Sequence, residues 1–291
     1  MKHSETSKII LRVSIVTIFV NVVLTVLKLV LGLIFDNLSV LSDAIHSGSD
    51  LFTSFLIVAA VFLSSPKRDE KYNYGREKVE PLVVLFLAMI IGTVGVFLGY
   101  EGVLGVISPQ PAELNWYLIA VTGLSIIVKE WMFYYGMYYA KKINSAMLRA
   151  DAWHSRSDSL SSIAVLIGLA TSLFMKTNIV ESIAVIVVAL FILKVAFDIA
   201  KPAVAQLIDK SAGEQVNSKI KEIASQVDGV ISVDKLHTRM FGDRIYVDIE
   251  IAVDGNLTTT QSHDIAELVH DTLEGTSELR VKHCVVHVNP R

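Results

Sequence analysis

Two short stretches place ionisable side chains inside otherwise lipid-soluble sequence: "LSDAIHSGSD" (41–50) and "LRADAWHSRSDSL" (148–160). Each holds a histidine followed four residues later by an aspartate, His46 with Asp50 and His154 with Asp158. Residues four apart share one face of a helix, so each pair can address a single ion. Two imidazoles and two carboxylates make a complete donor set of the kind that a tetrahedral divalent zinc accepts. Insertion scales set the cost of an aspartate at mid-bilayer at about 2.5–3.5 kcal/mol, which coordination of a cation offsets. The alternative is that each histidine bonds its own aspartate and fastens two helices together. Asp43 and Asp151 precede the histidines by three residues, about 60° away on a helical wheel. They fit either carboxylates that orient the imidazoles or solvated helix ends. Lys129 and Glu130 interrupt another apolar run, "IIVKEWMFYYG". Adjacent residues diverge on a helix, so snorkelling or contact with a neighbouring helix is their expected use, with a part in conduction as the alternative.

The elements that must hold these pairs are membrane helices. The chain has 291 residues, 52% of them apolar and only 19% charged, the profile of a polytopic membrane protein. Six runs reach the roughly 20 residues that a span requires: 9–34, 38–63, 79–100, 116–138, 148–175 and 179–199. The first is too long for a secretory signal and has no small-residue cleavage site. Lys2, Lys8 and Arg12 precede it; Lys67, Arg68, Lys71, Arg76 and Lys78 separate the second and third runs; Lys141, Lys142 and Arg149 separate the fourth and fifth. The intervening connections hold only Lys176. Basic residues stay on the cytoplasmic side, so both termini are expected there. Gly92, Gly95 and Gly99 in the third run suit either sliding or close packing of helices.

After Lys201 the composition becomes that of a soluble domain, and the expected division is 1–205 and 206–291. "EQVNSKIKEIASQV" and "TTTQSHDIAELVHDTL" have helical periodicity, while "ISVDKLHTR", "RIYVDIEIAVD" and "LRVKHCVVHVN" read as strands, the first two joined by a turn at 241–243. The order α-β-β-α-β predicts an antiparallel-rich α+β layer. A single cysteine, Cys284, excludes an internal disulfide and suits a reducing cytoplasm. The formal net charge of -3 identifies no partner, and no basic stripe points to nucleic acid.

The paired motifs, their helix positions, the topology, "YNYGREKVEPL" at the start of the third helix and "LIDKS" after the sixth together resemble the cation diffusion facilitator family. The resemblance runs through nearly the whole chain. It implies a six-helix transmembrane domain with a cytoplasmic, ferredoxin-like and metallochaperone-like C-terminal domain. It also implies a transport site of His46, Asp50, His154 and Asp158 between the second and fifth helices, and a homodimer. In the soluble domain it implies a second metal cluster at Asp234, Asp248, His263 and His287, with Asn289 where a carboxylate is common; the loss of histidines there implies weaker zinc binding. His283 and His287 share a strand face, and His263 and His270 a helix face. Lys78 and Asp209 match an interdomain salt bridge. Asp69, Tyr72 and Arg76 stand where some relatives bind another metal; Arg76 has no lone pair to offer, so no site is expected there.

The expected activity is proton-coupled efflux of divalent cations, zinc foremost with cadmium as a passenger, and iron(II) or manganese(II) as the alternative cargo. Metal needs neutral imidazole and ionised carboxylate, so metal and protons displace one another, and the proton is the expected counter-ion. No prosthetic group is expected. A metalloenzyme would need an open coordination position and a general base, as in His-Glu-x-x-His, which the sequence lacks. A metal-responsive scaffold that moves nothing is the competing class. The expected location is a bacterial inner membrane, with the metal ion and the lipid bilayer as partners.

Overall fold

The computed structural model describes residues 3–34, 38–63, 71–108, 116–175, 179–241 and 244–291, apart from some side chains within them. The chain forms two compact units, Met1–Ala203 and Val204–Arg291. The first is built from α1 (His3–Ile34), α2 (Leu38–Leu63), α3 (Val79–Ile107), α4 (Trp116–Ile143), α5 (Ala146–Met175) and α6 (Ile179–Leu207). In hydrocarbon every backbone N–H and C=O must find its partner within the chain, which a long helix achieves by itself. Helical bonding continues past the apolar part of a run, so α3, α4 and α6 end several residues beyond the limits set by hydropathy.

Among the described residues, three stretches are long and uniformly apolar enough to span a bilayer: Glu5–Leu31, Val79–Ile107 and Ser182–Leu207. The polar residues of interest are on the other three helices, α2, α4 and α5. Ile57, Leu87, Ile91, Met147, Leu148 and Ile192 are fully buried in the helix core. Phe19, Phe62, Phe97, Ile127 and Leu190 are exposed, an arrangement that only an apolar surrounding makes favourable. This unit is a membrane domain.

The glycines of α3 form a close-packed seam with α6. A Cβ on Gly92 or Gly99 would lie 3.6 Å from Ala196 or Ala189; one on Gly102 would lie 2.7 Å from Ile186 Cγ1 and 3.0 Å from the Ser182 carbonyl oxygen. Small residues here let the backbones approach.

The second unit contains α7 (Glu214–Ser225), β1 (Ser232–Phe241), β2 (Arg244–Val253), α8 (Thr259–Gly275) and β3 (Val281–Pro290). The sheet order is β1-β2-β3, with β1 and β2 antiparallel and β2 and β3 parallel. A parallel pair needs a crossover, and α8 supplies it. Of the turn expected at 241–243, Phe241 instead closes β1, and residues 242–243 lie outside the described residues. α8 begins with a capping box in which Thr258 and Gln261 satisfy each other's backbone N–H groups. Its apolar face meets Val247, Ile249 and Ile251 of β2 in one core with Ile220, Val269 and Leu273. The second unit is the expected small α+β domain, but its sheet is mixed and not antiparallel-rich, because the α8 crossover lays β3 parallel to β2.

Candidate metal centre

A two-residue turn fixes the register of α4 against α5. Asn144 takes a left-handed φ of 52°, which its short polar side chain tolerates. The Ser145 N–H donates to the Ala140 carbonyl at 3.0 Å, and the Ser145 hydroxyl accepts from the Leu148 N–H at 3.3 Å, capping α5. So short a turn makes the two helices antiparallel neighbours. Because the turn sits nearly midway between Lys129 and Asp158, it brings those two residues level.

The result is a buried polar cluster. Asp50 of α2 and His154 and Asp158 of α5 present donor atoms within 4.8 Å of one another. These three residues and Lys129 of α4 are only 4–6% exposed. Lys129 Nζ lies 2.6 Å from Asp50 Oδ2 and 3.0 Å from Asp158 Oδ2, donating to both. His154 Nε2 is 3.5 Å from Asp50 Oδ1, too long for a good hydrogen bond. Neither ring nitrogen has a hydrogen-bond partner among the described residues. The imidazole thus faces a carboxylate of another helix instead of being tied to Asp158, its own i+4 neighbour. Pairing of a histidine with its own aspartate is thus not what His154 shows; its charge contact runs across to α2 instead.

Nearby hydroxyls turn back on their own helices: Thr53 donates to the Asp50 carbonyl at 2.8 Å and Ser161 to the Asp158 carbonyl at 2.9 Å. This satisfies them without occupying the carboxylates. Ser47, one turn before Asp50, accepts from Lys28 Nζ of α1 at 2.8 Å. Asp151 is buried within electrostatic range of His154, Lys129 and both cluster aspartates, so the reading of it as a solvated helix end does not hold. His46 and Asp43 belong to α2, but their side chains lie outside the described residues.

Lys129 and Glu130 both contact a neighbouring helix. Glu130 accepts from the Ser159 hydroxyl at 2.6 Å and lies 3.6 Å from Arg156, which stacks 4.3 Å over Phe133. Sequence reasoning did not place Lys129 inside the cluster. The signal was the short "INSAM" turn, which aligns Lys129 with Asp158 once α4 and α5 are paired.

The soluble-domain candidates are dispersed. Asp234 sits at a bulge in β1, where it accepts from Ser232 at 2.9 Å and Asn289 at 3.1 Å and lies 3.4 Å from Arg291. The Ser232 and Asn289 hydrogen bonds, with Arg291 adding to them, hold its carboxyl below the usual range. Ala252 lies between the partners in the central strand and leaves room for them to meet. Asp248 and His287 are exposed on adjacent strands, His287 in register with Glu250. His263 is exposed on α8. Among the described residues these four do not gather into a metal-sized cluster. His270 and Glu274 instead bond the backbone of Cys284, whose carbonyl is 2.7 Å from His270 Nδ1 and whose N–H donates to Glu274 at 3.0 Å. They cover part of the open edge of β3. In the loop before α3, Arg76 stacks 4.4 Å over Tyr72; Asp69 lies outside the described residues.

Residues 14–208 match the cation efflux transmembrane domain, and residues 212–291 match the cytoplasmic domain of cation efflux proteins. The chain belongs to the cation diffusion facilitator family. This member is 35% identical to an uncharacterized transporter, MJ0449, of Methanocaldococcus jannaschii, over 94% of this chain and 96% of that one. It is 26% identical to the manganese efflux system protein MneP of Bacillus subtilis, over 99% and 98% of the two chains. It is 29% identical to the magnetosome protein MamB of Magnetospira, over 88% and 87%. As a cation diffusion facilitator it is a membrane transporter of divalent metal cations, with no enzymatic reaction to perform.

Proposed function

We propose that the chain exports a divalent transition metal from the cytoplasm in exchange for protons, through a site of His46, Asp50, His154 and Asp158. The observation that carries this reading is the buried convergence of Asp50, His154 and Asp158 from two helices, with donor atoms within 4.8 Å. His46 supplies the fourth donor from the same α2 face as Asp50, and Asp43 and Asp151 orient the imidazoles. Zinc fits a tetrahedral set of two imidazoles and two carboxylates. Manganese is the second reading, favoured by the carboxylate content and by the similarity to MneP, a manganese efflux system protein; iron(II) belongs with it.

Metal binding requires the deprotonated imidazole, so protons arriving from outside displace the ion, and the return step carries them inward. A potential of 100 mV, inside negative, opposes export of a divalent ion by about 4.6 kcal/mol and returns about 2.3 kcal/mol per proton. One-for-one exchange therefore draws on a pH or metal gradient as well. The termini and the second unit are cytoplasmic in this reading, the membrane is the bacterial inner membrane, and two copies join through the cytoplasmic domain. Asp248, His263 and His287 bind regulatory metal only when two copies combine, while Asp234 is held by Arg291. The test is uphill efflux from energised vesicles before and after both the pH and voltage gradients are collapsed. Loss of uphill movement is expected, and its persistence refutes proton coupling.

A further inference from the structure

Lys129 is the member of the cluster that a metal site does not require. Its ammonium bridges two carboxylates from different helices, at 2.6 Å and 3.0 Å, which is the task of the cargo ion. A divalent ion at an ordinary distance from Asp50 Oδ2, about 2.0–2.2 Å, would lie within about 4.8 Å of Nζ. All the groups are buried, so water and salt screen such a pair of cations poorly.

We propose that Lys129 is a tethered cation that competes with the divalent cargo for Asp50 and Asp158, and so sets how tightly the site holds metal. This inference rests on the transport reading above. The flexible four-carbon stem allows the ammonium to withdraw without a shift of α4 and to return as the ion leaves. Two buried carboxylates left without a counter-cation are costly. The returning ammonium neutralises one of them, which favours release of cargo and lowers the charge carried by the unloaded site as it reorients.

The test uses the purified full-length protein at pH 8, titrated calorimetrically with Zn²⁺ and with Mn²⁺, alongside Lys129→Met, Lys129→Gln and Lys129→Arg. Lys129→Met is expected to bind at least tenfold more tightly, and Lys129→Arg to retain the weaker binding of the parent. In liposomes Lys129→Met should slow net metal flux while preserving metal-for-metal exchange, a split that a purely structural lysine would not produce. Lys129→Gln keeps hydrogen-bonding capacity toward both carboxylates without the charge, and gives the same reading should Lys129→Met not fold. Equal or weaker affinity in a folded uncharged variant, with parental flux intact, overturns the competition alone. A parent that neither binds nor moves any of the ions overturns the transport reading, and the competition with it.

Discussion

Removing both aspartates that hold Lys129 should cost far more than removing either. Its ammonium lies 2.6 Å from Asp50 and 3.0 Å from Asp158. At an effective dielectric constant of about 20, each attraction is about 6 kcal/mol before desolvation is subtracted. In Asp158→Asn the lysine keeps its shorter contact, so the expected loss is about 1–2 kcal/mol, the scale of one charge-assisted hydrogen bond. In Asp50→Asn/Asp158→Asn the buried charge is uncompensated, and the expected loss is about 3–5 kcal/mol. Adding Lys129→Met to the double variant removes the stranded charge and should recover most of it. Denaturant unfolding in detergent with a chelator present, followed by circular dichroism, measures all four chains free of metal effects. Equal stability of parent and double variant, or no recovery in the triple variant, refutes the placement of Lys129 between the two carboxylates.

Other outcomes follow from the same geometry. Gly102→Ala pushes a methyl group to 2.7 Å from Ile186, and should destabilise the α3–α6 seam by about 1–3 kcal/mol; a thermal midpoint in detergent reads it. Thr258→Ala removes the capping box of α8 and should cost about 0.5–2 kcal/mol, measured as a shift in the unfolding of the cytoplasmic domain. Burial, reinforced by Glu274 and Asp248, pushes the Cys284 thiol up to about 12. Cys284 should therefore react with Ellman's reagent far more slowly than an exposed thiol at pH 8. Its raised value means the folded chain holds the proton longer than the unfolded chain. That stability is present below the unfolded thiol's pKa of about 8.5 and declines as pH rises toward 12; denaturant midpoints across that range check the sign.

The helices and strands were legible because their apolar periodicity is set by solvent on one side and the core on the other. The His-x-x-x-Asp pairs were legible because one helix holds both members. What the sequence concealed was lateral. That Lys129 enters the cluster depends on the register of α4 against α5, a tertiary fact encoded only by the brevity of the turn at Asn144 and Ser145. Lys28 was missed for the same reason: a single lysine in an apolar run gives no sign that Ser47 of α2 will meet it. In the soluble domain, residue types suggested ligands, while strand register gave Asp234 to Arg291 and Asn289 and gave His270 to the edge of β3.

The most direct test of the transport site is metal flux in liposomes holding the purified protein, with ion-specific fluorescence for zinc, iron and manganese, with and without a pH gradient, in parent and Asp158→Ala. The account predicts gradient-dependent flux of at least one of these ions in the parent and its loss in Asp158→Ala. Undiminished flux in the variant would contradict the site, and no flux of any ion in the parent would contradict export itself.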